Sequence, residues 1–270
     1  MKWRPGRFVL KANRRVLLFA GVFVAALVIV LVSLPSQQLR NTPELSIIKE
    51  RGVLRVGVRT DMPGFAQDGQ GFEIDLATRF AQYLLPDAPA SSAVEFVTVD
   101  ARTLGAHIDN GDADVVLALA PKDFSSSYVY SRAYYEDACR FLCVAGKESL
   151  PLSQARVGTL QVSPLSSRLS SRLKSEPAYV GEQIQFASYP DMLYALVSGQ
   201  IDAALMPGAY VSRYLDSSFT VRSEEFGTLE YALMCGTDAP ALAGLFDLFL
   251  DQCEDDGTLE SLMKTYSLGG

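Results

Sequence analysis

A nine-residue pattern occurs twice in this chain, as "IDNGDADVV" at 108–116 and "LVSGQIDAA" at 196–204. Gly111 and Gly199 lie 88 positions apart, and so do Asp114 and Asp202. A glycine at this place is typical of a helix end, since it adopts a left-handed conformation at low cost. The apolar pairs that follow are typical of a short buried strand. Two copies predict two α/β lobes of similar plan, with a ligand cleft between them at the carboxyl ends of the strands.

Around each copy, the pattern alternates between β-rich runs and helical spacing of apolar residues. The predicted strands cover 53–58, 94–99, 113–119, 139–146, 155–160, 184–189, 201–206 and 229–235. The predicted helices cover 43–52, 72–85, 101–111, 164–175, 190–199, 239–252 and 258–266. Strand, helix, strand in succession predicts parallel strands joined by right-handed crossovers. The fold class is therefore α/β, with two Rossmann-like lobes.

The charge is unevenly placed along the chain. The net charge is −7, yet six cations precede the first apolar run and no acid appears before Glu44. The acidic body disfavours nucleic acid as a partner, because phosphate binding needs clustered Lys and Arg. One histidine and four cysteines without a CxxC pair supply a zinc site poorly, so no metal or other cofactor is expected. Buried thiols are the preferred interpretation of Cys139, Cys143, Cys235 and Cys253, and spacing alone leaves open whether any two of them form a disulfide.

The segment 16–34 contains 19 residues without a charge. As a helix it is about 28 Å long, which is close to the hydrocarbon thickness of a bilayer. The length and the ending "LVSLPSQQ" favour an uncleaved anchor over a cleaved signal peptide, which remains the alternative. The cations place 1–15 in the cytoplasm, and 35–43 reads as a tether. Both readings put the body outside the cytoplasm, as a single-pass membrane protein or, after cleavage, as a secreted one.

Several stretches, in this order, resemble the bacterial family 3 extracellular solute-binding proteins. They are "IIKERGVLRVGVRTDMPGF", "GQGFEIDLATRFA", "LGAHIDNGDADVV", "YSRAYYED", "VSGQIDAALM" and "CEDDGTLESLMKTY". The resemblance implies a type 2 periplasmic binding fold, whose lobes are joined by two crossover strands. Lobe one is expected at 43–139 plus 233–270, lobe two at 146–228, and the crossovers near 140–145 and 229–232. It also implies a receptor for polar amino acids that delivers its solute to an ABC permease.

The chain departs from the family where the ligand's carboxylate is held in the first lobe. Family members carry a Thr-x-Thr-x-x-Arg segment after the third strand, and the corresponding stretch here is "LALAPKDFSSSYVYS". Ala118 and Ala120 stand at the threonine positions, and the arginine is missing. Lys122 is the candidate replacement for the charge, although it is a point donor rather than a fork. Asp123, next to it, is a further candidate ligand-binding residue.

The second lobe departs in the same direction. Pro207 stands where family members have the aspartate that pairs the ligand's amino group. In "VGTLQVSP" the Gly-Thr pair of the family is replaced, and Gln161 and Ser163 are the candidate ligand contacts. Since both ion-pairing anchors are lost and unpaired ions are costly to bury, we expect a ligand other than a standard α-amino acid.

The glycine-rich loop of the first lobe supplies the remaining candidates, Asp61, Phe65 and Phe72. The aromatic residues are candidates for stacking on a ligand. A core position is an equal alternative for Phe65 and the preferred one for Phe72, because of its helical spacing. Asp61 could bind a cation or act as a turn residue.

The expected protein is a monomeric, extracytoplasmic solute-binding component of an ABC transporter of amino-acid type, with an altered ligand site. The alternative is a membrane-anchored sensor or interaction module on the same fold. Because the residues form no catalytic constellation, no enzymatic activity is expected.

Overall fold

Strands and helices alternate along most of the described residues of the computed structural model, which are 39, 41–100, 102–122, 125–161 and 163–268. The strands are β1 Leu54–Val58, β2 Asp61–Met62, β3 Ala66–Gln67, β4 Val94–Thr98, β5 Val115–Val116, β6 Val129–Val144, β7 Arg156–Leu160, β8 Glu182–Phe186, β9 Ala203–Pro207 and β10 Phe219–Cys235. The helices are α1 Pro43–Arg51, α2 Phe72–Leu84, α3 Ala90–Ala93, α4 Leu104–Asp109, α5 Pro164–Ser175, α6 Tyr189–Val197, α7 Gly208–Tyr214, α8 Pro240–Asp255 and α9 Thr258–Thr265. A 3-10 turn spans Leu152–Gln154.

Eight of the strands form one sheet in the order β4-β1-β5-β10-β6-β9-β7-β8. The strand β1 pairs in parallel with β4 and β5, and β7 pairs in parallel with β8 and β9. We call β4, β1 and β5, with α2 and α4, half one, and β9, β7 and β8, with α5, α6 and α7, half two. The parallel arrangement predicted for each half is confirmed, and so is the α/β class. The small hairpin of β2 and β3 and the helix α7 were not predicted.

The two long central strands, β6 and β10, run antiparallel to each other and belong to both halves. The end of β10 pairs with β5, while Cys139–Leu142 of β6 pairs with β9. The stretch of β6 that passes between the halves therefore precedes Cys139, whereas the sequence places this crossover at 140–145. β6 is one continuous strand from half one into half two, and its sequence pattern does not change along the way. The start of its pairing with β9 at Cys139 is what shows where half two begins. The division into lobes at 43–139 plus 233–270 and at 146–228 stays a prediction.

The aspartates of the repeated pattern fasten the same joint in each half. Asp114 accepts a hydrogen bond from the backbone N–H of Arg55 (2.8 Å) and pairs with the side chain of Arg51. Asp202 accepts one from the backbone N–H of Arg156 (2.9 Å), whose guanidinium also forks onto both of its carboxylate oxygens. In both halves the carboxylate thus satisfies a backbone donor near the start of the strand beside it.

The glycines of the pattern complete this joint. Gly111 and Gly199 have φ angles of 72° and 74°, and each ends a helix in the left-handed region. The carbonyl oxygen of Gly111 accepts from Arg55 Nη1 (3.2 Å), and that of Gly199 accepts from Arg156 Nη2 (2.8 Å). The repeat is therefore a structural device that ties a helix end to the neighbouring strand, and it explains why the chain contains it twice.

We expect Asp202→Ala to lower the free energy of unfolding by about 1–3 kcal/mol, since a charged acceptor of several hydrogen bonds is lost. Urea denaturation at pH 7, followed by circular dichroism, measures the change. Asp87→Ala, at an exposed aspartate between α2 and α3, serves as the control and should be nearly neutral. Equal effects of the two substitutions would contradict the role assigned to the repeat.

All four cysteines lie in the described part of the chain and are buried, and none of them forms a disulfide. No helix within the described ranges is both long and apolar enough to cross a membrane. The predicted span at 16–34 lies outside the described residues, as does the basic segment before it.

Candidate functional site

A cleft of about 400 Å³ lies where the carboxyl ends of the parallel strands of both halves meet. Half one contributes the segments after β1, β4 and β5, and half two contributes those after β7, β8 and β9. Leu229 and Tyr231 of β10 line it between the two. The volume falls within the range of small-molecule sites. Its place matches the position predicted from the doubled α/β pattern.

An ion-pair cluster crosses the cleft. Arg59, directly after β1, is buried and forks onto Asp61, with Nε–Oδ1 and Nη2–Oδ2 distances of 2.8 Å. Arg213 of α7 donates from Nη1 to the same Asp61 Oδ2 at 3.2 Å. Burial raises the pKa of Asp61, but the hydrogen bonds and charge of Arg59 and the charge of Arg213 outweigh it, so this pKa lies below its usual value. The cluster thus joins half one to half two through a charged aspartate.

Tyrosine rings form much of the apolar wall. Tyr189 and Tyr210 pack with ring centroids 4.3 Å apart, and Tyr214 lies 6.3 Å from Tyr189. The guanidinium of Arg59 lies 5.2 Å from the Tyr210 ring, and that of Arg213 lies 5.4 Å from the Tyr214 ring. Aromatic faces in half two therefore already contact arginine cations from both sides of the cleft.

Two helices of half two begin at the cleft, and each has a serine cap. Ser163 Oγ accepts from the backbone N–H of Ser166 at the start of α5 (3.1 Å). Ser188 Oγ accepts from the backbone N–H of Asp191 at the start of α6 (3.2 Å). The pattern of serine followed by an early proline sets both starts, because proline suits the first turn of a helix. Both capping serines line the cleft.

Asp137 of β6 lies beneath the cleft at the junction of the halves. Its carboxylate accepts from the backbone N–H of Ala209 at 3.1 and 3.2 Å and from the hydroxyl of Tyr231 at 3.4 Å. Burial raises its pKa to about 6, although these hydrogen bonds act in the opposite direction. A Cβ on Gly208 would stand 2.6 Å from Asp137 Oδ1, so glycine is needed there for this contact. Asp137 thereby fixes the start of α7, the helix that carries Arg213.

Glu73 in the first turn of α2 supports the opposite wall from within the core. It is completely buried, and its Oε1 accepts from the backbone N–H of Leu119 (2.7 Å) and from the hydroxyl of Tyr134. Leu119 lines the cleft and has a φ of 49°, which is uncommon for a residue with a side chain. Burial raises the pKa of Glu73 to about 7. This carboxyl group therefore holds a strained turn in place at the edge of the cleft.

A second depression of about 860 Å³ adjoins the cleft and shares Arg102, Ser163 and Pro164 with it. It lies between α4 of half one and α5 of half two, and its lining includes Gln161 and Arg168. The cleft thus continues outward into a more polar region.

Four of the residues predicted from the sequence line the cleft. They are Asp61, Ala118, Ser163 and Pro207. Asp61 is more than a turn residue, because its carboxylate accepts hydrogen bonds from both Arg59 and Arg213. Ala118 and Pro207 present no ionisable group, so the structure places apolar surface where the family pattern would put a threonine and an aspartate.

The other candidates lie elsewhere. Phe65 and Phe72 are buried to within 1% and pack edge to face at 6.2 Å, so they are core residues rather than part of the lining. Ala120 is buried in a core cluster with Ala118. Lys122 pairs with Glu230 (3.2 Å) and does not line the cleft. Gln161 lines only the adjoining depression, and Asp123 lies outside the described residues.

Sequence reasoning missed Arg59, Arg213 and the tyrosines of half two. A positional signal existed for Arg59, because it directly follows a predicted strand at the edge where ligands bind. Arg213 lies on α7, a helix that the sequence pattern does not predict. Its approach to Asp61 joins residues 152 positions apart, and no local pattern reveals that contact.

Comparison with known proteins agrees with this architecture. The model of the bacterial extracellular solute-binding proteins, family 3, matches residues 54–269. The chain is 23% identical to the ABC transporter glutamine-binding protein GlnH of Bacillus subtilis over 232 residues, 82% of this chain and 84% of that protein. It is also similar to an amino acid ABC transporter substrate-binding protein from Streptococcus pneumoniae bound to L-arginine, with a TM-score of 0.66 and 20% identity, covering 83% of this chain and 98% of that one.

A third relative is named for a different role. The membrane-bound lytic murein transglycosylase F of Stutzerimonas stutzeri is 25% identical over 235 residues, which cover 83% of this chain but 48% of that protein. The chain therefore spans about half the length of this relative. The family match covers nearly the whole body, and the chain accordingly belongs to the bacterial extracellular solute-binding proteins, family 3.

Proposed function

We propose that this protein is an extracytoplasmic solute-binding protein of the amino-acid ABC-importer type, with an altered ligand site. A solute enters the cleft, contacts both halves and shifts a hinge equilibrium toward a closed form, which then docks on a permease. The observation that carries the proposal is the cleft of about 400 Å³ that is lined from both halves. Relatives named as glutamine-binding or substrate-binding proteins of ABC transporters support it.

The hinge has an identifiable place in this scheme. β6 and β10 connect the halves, and the register between them shifts twice between Tyr231 and Met234, opposite residues of β6 that precede its pairing with β9. Such irregularities bend strands and break the regular ladder. The predicted membrane anchor at 16–34 would keep the body next to its permease.

A second candidate is a membrane-anchored sensor or interaction module without a transport role. The observation in its favour is that the chain's own Asp61–Arg213 pair already bridges the cleft. Similarity to a murein transglycosylase, of which this chain spans about half, shows that a region of this kind also occurs outside receptors named for transport. A permease that copurifies with the protein would exclude this candidate.

Closure can be tested with spin labels on the two edge strands of the sheet. Glu95 on β4 and Glu182 on β8 are exposed, and cysteines at these positions carry the labels while the native thiols stay buried. We expect Arg213→Ala to move the distance distribution toward longer, more open values. The pair is partly exposed and worth about 1 kcal/mol, so the ratio of closed to open protein should fall roughly fivefold.

The matched control is Arg172→Ala, which removes an exposed arginine that pairs with Glu176 on the outer part of α5. It should leave the distance distribution unchanged. Identical distributions for the wild type and Arg213→Ala, together with no response to any solute, would contradict a closing binding protein.

A further inference from the structure

The formal charges that line the cleft do not balance. Among the described lining residues, three are arginines, Arg59, Arg102 and Arg213, and two are acids, Asp61 and Asp100. One positive charge is therefore in excess. In a receptor for a zwitterion, a base pairs with the carboxylate, and an acid or several neutral oxygen acceptors pair with the ammonium group, since each buried ion requires partners.

Both acids in the lining are already engaged. Asp61 accepts from Arg59 at both oxygens and from Arg213 at Oδ2. Asp100 accepts from the backbone N–H of Arg102 (2.9 Å) and from its Nε (3.3 Å). No described acid in the lining is left for the ammonium group of an amino acid.

Donor capacity, in contrast, remains at the centre of the cleft. Arg213 uses Nη1 for its contacts with Asp61 and with the sulfur of Met62. Its Nε and Nη2, like Nη1 of Arg59, make no hydrogen bond within the described part of the chain. Two guanidinium groups that share one aspartate, each with donors to spare, form a site that complements an anion.

The tyrosine wall offers a competing interpretation, because clustered aromatic rings also bind organic cations. Here two of those rings, Tyr210 and Tyr214, already lie beside the guanidinium groups of Arg59 and Arg213. A cationic solute would meet like charges at both places. The rings therefore suit the apolar or aromatic body of a ligand better than a cationic head.

We infer that the cleft binds a carboxylate without an ammonium group, whose anionic head lies between Arg59 and Arg213 and whose apolar or aromatic body lies against Tyr189, Tyr210 and Tyr214. This inference rests on the proposed function and names the class of its solute. The carboxylate supplies the anion that balances the excess arginine. Because it contacts an arginine from each half, its binding also strengthens the closed form.

Three probes with the same ring and differing charges test the inference. They are 3-phenylpropanoate, which is an anion, phenylalanine, which adds an ammonium group, and phenethylamine, which is a cation. Isothermal titration calorimetry on the full chain measures their dissociation constants. We expect 3-phenylpropanoate to bind at least about tenfold more tightly than phenylalanine, since an unpaired ammonium loses its hydration, and phenethylamine to give no binding heat.

Variants connect the affinity to the assigned residues. Arg213→Gln should weaken binding of 3-phenylpropanoate about tenfold or more, whereas Arg172→Gln should leave it unchanged. Circular dichroism melting of both variants shows that each is folded. Equal binding by the two variants would overturn the assignment of the anionic head.

The outcomes separate the inference from the proposed function. Binding of phenylalanine or phenethylamine as tightly as the acid overturns the inference and leaves the solute-binding function standing. A fourth probe, hexanoate, carries the same carboxylate on an aliphatic body. If neither 3-phenylpropanoate nor hexanoate binds at millimolar concentration, the inference is also overturned. The proposed function also fails only if the distance distribution of the spin-labelled protein changes neither when a solute is added nor when Arg213 is replaced.

Discussion

Replacing Gly71 with alanine is expected to lower the free energy of unfolding by about 3–5 kcal/mol, or the melting temperature by roughly 10 °C. Gly71 has a φ of 134°, a backbone conformation that side chains rarely adopt. A Cβ at this position would lie 2.2 Å from the backbone oxygen of Phe65 and 2.9 Å from the nitrogen of Ala66. Because these are backbone atoms, no side-chain rotation can relieve the contact.

The close approach at Gly71 is part of how the loop after β2 is attached to α2. The backbone N–H groups of Phe72 and Glu73 donate to the carbonyl oxygens of Gly64 and Phe65, both at 2.9 Å. These bonds satisfy donors in the first turn of α2, which would otherwise be left without partners. Moving the loop away to admit a methyl group would break both of these hydrogen bonds.

Gly69 provides the matched control two residues earlier. It also has a positive φ, 77°, but no atom lies within 4 Å of a Cβ built there. Gly69→Ala should therefore cost only the conformational penalty, about 1–2 kcal/mol. Thermal melting of the wild type and both variants in one buffer measures the difference. Equal destabilisation by the two substitutions would show that the contact with Phe65 does not limit this position.

The second large effect is a pH dependence that Glu73→Gln removes. The pKa of Glu73 in the folded protein is about 7, above its ordinary value of 4.5, because burial disfavours the charged form. The folded state therefore binds more protons than the unfolded state between these values. The contribution of Glu73 to stability is fully present below about pH 4.5 and is lost as the pH rises toward 7.

The shift from 4.5 to about 7 corresponds to a loss on the order of 3 kcal/mol for this one group. Glutamine retains an oxygen that can accept from Leu119 and does not ionise. The stability of Glu73→Gln relative to the wild type should therefore rise between pH 4.5 and 7 and stay level above that. Urea denaturation of both proteins at several pH values gives this difference directly.

Taking the difference between two proteins removes the titration of other groups. Burial raises the pKa of Asp137 to about 6, so this group also makes the folded protein less stable as the pH rises. The pKa values of Asp61 and Asp202 are lowered, so these groups make it more stable as the pH rises. All three contribute equally to the wild type and to Glu73→Gln, and their contributions cancel in the difference. The control Glu50→Gln removes an exposed carboxyl on α1 and so measures the effect of this substitution outside the core. A difference for Glu73→Gln that stays flat between pH 4.5 and 7 would contradict the buried, protonated carboxyl.

Part of the cleft could be predicted because its position follows from topology. Parallel strands bring their carboxyl ends to one edge. The resemblance to the family assigns Ala118, Ser163 and Pro207 to positions at or near these strand ends, and Asp61 lies in the loop after the first predicted strand. Lys122 and Ala120 also follow a strand, but one pairs with Glu230 and the other lies in the core. Position along the chain selects the edge of the sheet, whereas side-chain direction and pairing select which residues reach the cleft.

The sequence by itself determined the α/β class, the helix ends at Gly111 and Gly199 with the buried strands that follow them, and the membership of the family, because these depend on local spacing and on an ordered set of motifs. The hydrogen bonds of Asp114 and Asp202 join residues far apart in the chain, so they follow only from the tertiary structure. Only the tertiary structure decided the chemistry of the site. Arg213 meets Asp61 across 152 positions, and Glu73 is buried by a core that several elements build together. Local patterns record which face of an element is apolar, but charge pairing and desolvation depend on neighbours that only folding brings together.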